Sequence, residues 1–391
     1  MLKLIVFLDV SFLYKSIIFI GEMINMRKQR IVVKIGSSSL TNEQGEIDQE
    51  KFNDHVQALS ALREAGHEVL LVSSGAVAAG FARLGYSSRP ITLKGRQAAA
   101  AVGQSLLIQS YIDKFGEFGI IPAQILLTRD DFANRDRFKN AYDTIMELLE
   151  RRILPIINEN DTVSIRELTF GDNDMLSALV SGFIHADQLI ILTDINGLYD
   201  SNPHINRSAK RIDYLEDITD EMLTFADESG SKAGTGGMKS KLLAAKTSLT
   251  VGVPVFIGSG TGTEKLLNIM RGNGDGTYIV KKNHNAINIS QQWIAIHSEA
   301  VGKLYVDKGA EEAILYNSKS LLPAGIFKVK GNFDKGDIVE VFGTNGIIGK
   351  GEVTYTSVDL LKVIGKSSEE RGGRAGSSPV EVIHRDKWVA I

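Results

Sequence analysis

Several short stretches combine charge, hydroxyl groups and glycine in patterns that suit phosphate or carboxylate binding. Lys34-Ile35-Gly36-Ser37-Ser38-Ser39 sets a lysine beside a glycine/serine turn, and Ser73-Ser74-Gly75-Ala76 repeats such a turn ahead of a helical stretch. A turn that opens a helix directs backbone N–H groups and the positive end of the dipole toward an anion. Taken alone, each piece also reads as a tight turn with a solvated lysine. Asn158-Glu159-Asn160-Asp161 and Gly171-Asp172-Asn173-Asp174 gather more carboxylates and amides than helix capping requires. They suit an ammonium-bearing ligand, a bound cation, or a buried lysine in need of a partner. Thr193-Asp194 closes an apolar run and is followed by Asn196-Gly197-Leu198-Tyr199. Gly234-Thr235-Gly236-Gly237-Met238-Lys239-Ser240-Lys241 is a glycine-rich loop entering a helix, where backbone can approach phosphates while lysines neutralise charge. No Walker A motif and no GxGxxG fingerprint occurs, so a nucleotide site here is of another type.

The elements that must position these groups alternate regularly. IVVKI (31–35), EVLLV (68–72), IIPAQILL (120–127), ILPIIN (153–158), QLIILTD (188–194) and VPVFIG (253–258) read as near-continuous buried strands. Between them, 49–65, 94–115, 134–150, 174–186 and 238–251 carry helical spacing of Leu, Ile, Ala and Val. That alternation predicts a mostly parallel sheet covered by helices. In open sheets of this kind ligands sit beyond the carboxyl ends of the strands, where the polar clusters fall. After about 280 the texture changes. A polar linker (281–292) leads to short strands in WIAIH, KLYV, IFKVKG, DIVEVFG and GIIGKGEVTY, with short helices near 309–317 and 357–365. Glycines 325, 331, 336, 343, 346, 349 and 351 read as turn positions of a small, mainly β, barrel-like module. The segment 366–379 is polar and glycine/serine-rich, hence a loop, and VEVIHRDKWVAI reads as a last strand.

Composition bounds the chemistry. The chain has 391 residues, 43% apolar, with a net charge of −3. That length predicts two domains, and that charge draws the molecule to neither nucleic acid nor anionic membrane. Cysteine is absent and the histidines form no paired-ligand spacing, which removes disulfides, thiolate zinc sites and a cysteine nucleophile. The first 25 residues are apolar but interrupted by Asp9 and Lys15. They fall short of the roughly 20 continuous apolar residues that span a bilayer. Met26 precedes the first strand directly, so 1–25 reads as an extension from a start codon assigned too early, with a peripheral anchor or unstructured tail as alternatives.

The chain resembles the glutamate 5-kinase branch of the amino acid kinase family. The resemblance rests on VVKIGSSSL, LVSSGAVAAG, LLTRDDF, INENDTVS, FGDNDMLSALV, LTDINGLY and GTGGMKSKL in order, from about 30 to 275. It continues through LLPAGI (321–326), VKGNFDKGDIVEV (329–341) and GIIGKGEVTYTS (346–357), which are similar to a PUA domain. It implies an amino acid kinase domain over 26–280, a linker over 281–292 and a PUA-like domain over 293–391. The activity implied is ATP-dependent phosphorylation of the γ-carboxylate of L-glutamate, first step of proline biosynthesis, in the cytoplasm. Also implied are Mg2+, a homo-oligomer (dimer or tetramer) and proline as feedback inhibitor.

Carried over residue by residue, the resemblance implies that Lys34 and the loop Thr235, Gly236, Gly237, Met238, Lys239, Ser240 and Lys241 hold ATP phosphates, with Lys241 on the transferring group. Thr193 and Asp194 would contact the nucleotide; Ser74, Asp161 and Asn173 would bind glutamate; Asp172 and Asp174 would organise the lysines or Mg2+. A carboxylate with a reference pKa near ~4.3 is already an anion, so no general base is needed. Catalysis then rests on positioning and on cations around the phosphoryl oxygens. An N-acetylglutamate kinase or aspartokinase would be expected to lack the PUA-like tail, and an N-acetylated substrate would not need Asp161 opposite its amine. Basic and acidic residues balance over 291–391, which speaks against RNA binding and for a regulatory or assembly role.

Overall fold

The computed structural model describes residues 28–42, 44, 46–164, 173–201, 203, 206, 208–228, 237–281, 294, 300–317, 319–366 and 381–390. The chain divides into two compact units, one of Met1–Thr128 and Tyr142–Asn283, the other of Arg129–Ala141 and His284–Ile391.

The first unit is built on an eight-stranded sheet. In chain order its elements begin with β1 (Arg30–Ile35), β2 (Glu68–Val72), β3 (Pro122–Leu127), β4 (Leu154–Glu159) and β5 (Gln188–Leu192). The two-residue strands β6 (Leu198–Tyr199), β7 (Arg211–Ile212) and β8 (Tyr214–Leu215) follow, then β9 (Val255–Ser259) and β10 (Asp275–Ile279). The sheet order is β3-β4-β2-β1-β5-β9-β10-β8, while β6 and β7 pair with each other. Every pair from β3 to β9 is parallel. Their carboxyl ends therefore share one edge, and that edge collects the polar clusters.

The expected mostly parallel sheet with helices is the fold observed. Val, Ile and Leu fill β1, β2, β4, β5 and β9, which are buried on both faces. Strand β3 departs from that expectation. It lies at the sheet edge and is largely half-buried, because a neighbour covers it on one side only. Antiparallel β10 carried no clear signal in the sequence: Gly276 pairs with Gly258 of β9, and the Phe256 ring fills the space their side chains would need. The main helices, Gln49–Glu64, Leu93–Gly116, Arg135–Glu150, Asn173–Phe183 and Met238–Thr250, match the helical stretches read from the sequence. The helices Asp220–Glu228 and Lys265–Met270 were not anticipated.

In the second unit β11 (Gly302–Val306), β12 (Ile326–Gly331), β13 (Ile338–Gly343), β14 (Gly346–Val353) and β15 (Ile383–Ala390) form a sheet in the order β12-β11-β13-β14-β15. Its core includes Leu304, Val306, Ile326, Phe333, Val341, Tyr355 and Trp388. Of the glycines read as turn residues, Gly331, Gly336 and Gly346 take positive φ. Gly349 and Gly351 instead lie inside β14, where the side chains of Trp388 and Ile383 occupy the space of a Cβ. Apart from buried Ile294, the strand expected at WIAIH lies outside the described residues, as does the loop over 367–379. No described helix is long and apolar enough to cross a membrane.

Candidate functional site

At the end of β1 the side chain of Lys34 is 1% exposed, and its Nζ lies 2.5 Å from Oδ1 of Asp174. Asp174, with no exposed surface, sits in the first turn of the Asn173–Phe183 helix. Its Oδ2 accepts hydrogen bonds from Lys241 Nζ at 3.2 Å and Ser240 Oγ at 2.9 Å. Both donors come from the first turn of the Met238–Thr250 helix, which follows the glycine-rich loop. Lysines far apart in sequence thus meet on one carboxylate. Buried lysine, one of the three partners that suit the acidic clusters, pairs with Asp174. Burying such charges is costly unless they are paired. Within this trio the positive charges outnumber the negative, which favours the approach of a further anion.

A second cluster joins this one through Asn173. Its Nδ2 donates to the carbonyl of Ser73 at 2.5 Å, to Asn158 Oδ1 at 2.8 Å and to Ser74 Oγ at 3.2 Å. Asn158 Oδ1 also accepts from the Glu159 N–H, which fixes its amide orientation. Behind it, Gln104 donates to the Glu159 carbonyl and accepts from Gln124 and Asn158. The Ser73 hydroxyl is 2.9 Å from that of fully buried Tyr111. The turn after β2 depends on Gly75, whose φ of +97° disfavours any other residue. It is clamped from outside, because Gly103 lets the Leu93–Gly116 helix approach so closely that a Cβ there would lie 1.7 Å from the Ala76 carbonyl oxygen.

Neither glycine/serine turn opens a long helix, so the helix expected directly after Ser73–Ala76 is present but short. Ala76–Gly80 has five residues and Ser37–Ser39 is a single 3-10 turn. The second turn is instead shaped by side chains holding its carbonyls. The Gln49–Glu64 helix, started by the Asp48 cap, sends Lys51 Nζ to the carbonyl of Thr41 at 2.8 Å and His55 Nε2 to that of Ser39 at 3.0 Å. Thr41 Oγ1 donates to the Ser37 carbonyl at 3.0 Å. Burial, with Lys265 nearby, pushes the His55 imidazole down to about 4, so it stays neutral and serves as an N–H donor.

Asp161 follows β4 and is half-buried. Burial pushes its carboxyl up to about 6, against the opposing pull of the Arg89 and Arg96 guanidinium groups. Thr193 and Asp194 follow β5 directly; Leu192 pairs with Ile35, and Thr193 Oγ1 donates to Asp194 Oδ1 at 3.0 Å. Gly237 is the exposed N-cap of the Met238–Thr250 helix, with Met238 and Lys239 half-buried beyond it. Asp172, Thr235 and Gly236 lie outside the described residues. The structure therefore joins Lys34, Asp174, Ser240 and Lys241 by direct contact, and Ser74 and Asn173 likewise.

Sequence reading missed Gln104, Tyr111, Lys51 and His55. For Gln104 there was a usable signal: it continues the buried face of Ala99, Ala100, Gly103 and Leu107, where a polar residue needs partners. Among the described residues no three acidic or histidine side chains converge to hold a metal ion, and both oxygens of Asp174 are engaged by lysines. Of the two carboxylates named for Mg2+, Asp174 is thus already taken up by lysines, and Asp172 lies outside the described residues.

Residues 29–259 match the model of the amino acid kinase family, and residues 302–371 match the PUA domain. The chain is 63% identical over 366 residues to glutamate 5-kinase 1 of Bacillus licheniformis, covering 94% of this chain and 100% of that protein. It is 60% identical to glutamate 5-kinase 1 of Bacillus subtilis, again over 94% of this chain and 100% of the relative. Glutamate 5-kinase of Bacillus cereus is 55% identical over 367 residues, with the same coverage. With its buried lysine–aspartate centre at the carboxyl edge of a parallel sheet, this chain belongs to the amino acid kinase family and carries an appended PUA domain.

Proposed function

We propose that this chain transfers the γ-phosphoryl group of ATP to the γ-carboxylate of free L-glutamate, forming L-glutamyl 5-phosphate and ADP in the first step of proline biosynthesis. The observation that carries this reading is the meeting of Lys34 and Lys241 on Asp174. Two negatively charged reactants repel each other, and cations held in a dry place offset that repulsion as they approach in line. A carboxylate oxygen attacks the γ-phosphorus while the bond to the β,γ-bridging oxygen breaks. No proton moves, because the acceptor is already ionised.

In this reading Lys34 and Lys241 lie against the phosphoryl oxygens, and Asp174 is the positioning residue that keeps both ammonium groups aimed there. Asp172 shares that organising role. Ser74 and Asn173 hold the substrate carboxylate end, and Asp161 pairs with the α-ammonium. Thr193, Asp194 and the stretch Thr235, Gly236, Gly237, Met238, Lys239, Ser240 and Lys241 hold the nucleotide. Mg2+ would travel with the ATP phosphates, where it neutralises charge. The 26–280 region is the catalytic domain, 281–292 the linker and 293–391 the PUA-like domain of a cytoplasmic homo-oligomer, dimeric or tetrameric, with proline as feedback inhibitor.

A hydroxamate-trapping assay with ATP and free glutamate, N-acetylglutamate or aspartate tests the reading. Turnover with glutamate alone, reduced by added proline, is the expected result. Preference for either rival substrate sinks it.

A further inference from the structure

The α-carbon of free glutamate carries an ammonium and a carboxylate side by side. A site selective for that group needs an acid and a base in matching positions. Asp161 supplies the acid in the reading above, on which this inference rests, but no base has yet been assigned to the α-carboxylate.

Arg96 stands in the first turn of the Leu93–Gly116 helix, its N–H donating to the Thr92 carbonyl at 3.0 Å. At helical spacing it shares a face with Ala99, Ala100 and Gly103, which pack toward the Ser74–Gly75 turn. Further along the same helix, Gln104 reaches the Glu159 carbonyl, so this helix borders the segment that carries Asp161. The guanidinium groups of Arg89 and Arg96 lie within electrostatic reach of Asp161. Arg89 is exposed, whereas Arg96 is half-buried and its Nε is shut off from solvent with no hydrogen-bond partner among the described residues. A buried N–H of this kind is ordinarily satisfied. Arg96 as a whole is only half-buried, so a ligand that reaches its exposed part can bring an acceptor to a guanidinium whose hydrogen bonding is incomplete.

We propose that Arg96 binds the α-carboxylate of the substrate, so that Arg96 and Asp161 together recognise the zwitterionic head of a free α-amino acid. Arg96 is thereby a specificity-determining residue, with the phosphoryl transfer itself left to Lys34 and Lys241. Planar guanidinium and carboxylate groups pair through two parallel hydrogen bonds, which makes the head group hard to replace.

Truncated substrates separate the two charges. 4-Aminobutyrate keeps the reacting carboxylate and the ammonium but lacks the α-carboxylate; glutarate keeps both carboxylates and lacks the ammonium. The full-length Arg96→Met and Arg96→Lys variants are assayed by hydroxamate trapping, and both analogues are measured as competitors of glutamate. Arg96→Met should raise KM for glutamate about tenfold or more, and weaken glutarate as much. It should leave the inhibition constant of 4-aminobutyrate within about twofold and KM for ATP unchanged. Arg96→Lys should recover part of the loss, and it carries the test alone if the methionine variant does not fold. Equal weakening of glutamate and 4-aminobutyrate would mean general distortion and overturn the proposal, as would an unchanged KM for glutamate. A wild-type protein inactive on glutamate would instead overturn the parent reading.

Discussion

Two carboxylates of the site, Asp174 and Asp161, live under opposite conditions. Asp174 has no exposed surface and both its oxygens are engaged by lysines. Asp161 is half-buried, feels two arginines at a distance, and has no hydrogen-bond partner for its side chain among the described residues. The first is complete before any ligand arrives and holds its charges still. In the proposed reading the second becomes complete only on binding. This division suits a phosphoryl-transfer site, since charges that stabilise a transition state work best when already oriented. Recognition groups gain selectivity when the ligand itself satisfies them.

The sharpest way to break this comparison is Asp174→Asn. Removing the charge leaves two buried ammonium groups without their shared partner, a destabilisation of about 3–5 kcal/mol in urea unfolding. kcat should also fall by roughly 1000-fold. A stability change under about 1 kcal/mol would show that the trio is well hydrated after all.

Next in size is Lys241→Ala, expected to lower kcat about 100-fold, or roughly 3 kcal/mol of transition-state stabilisation. A single-turnover rate reduced less than tenfold would remove Lys241 from the chemistry.

Asp161→Ala should behave differently, raising KM for glutamate about tenfold while sparing kcat and thermal stability. The same carboxylate predicts a pH dependence. Burial raises it to about 6, so acidification through that value protonates it and, in the proposed reading, removes the partner of the α-ammonium. KM for glutamate should therefore rise as pH drops below about 6, and Asp161→Asn should abolish that limb. Stability runs the other way. The stabilising contribution of a raised carboxyl is complete below its unfolded value of 3.8 and is lost as pH climbs through about 6.

The smallest effect concerns the Ser37–Ser39 turn. His55→Phe should raise KM for ATP several-fold, and His55→Gln, which keeps an N–H donor, should restore most of it. Equal effects of both variants on both substrates would assign His55 to folding alone.

Much of the fold was legible because buried parallel strands announce themselves. Runs such as RIVVKI and EVLLV lie within one residue of where the sequence put them. Strand β10, with Gly276 in place of a packing side chain, was not legible, since its partner strand and the Phe256 ring define it. In the site, the polar clusters were visible as a surplus of charge at strand ends. Their partners were not. Gln104 and His55 matter through hydrogen bonds to chain segments 55 and 16 residues away, and spacing carries no record of such bonds.

Residue types and their order alone determined a parallel sheet with polar groups at its carboxyl edge, because alternating apolar periodicities and glycine turns are local properties of the chain. Which lysines share which carboxylate was decided only when the helices at Asn173 and Met238 packed beside β1. Ion pairing in a dry interior depends on ångström-scale distance and on burial, and both arise from the assembled core.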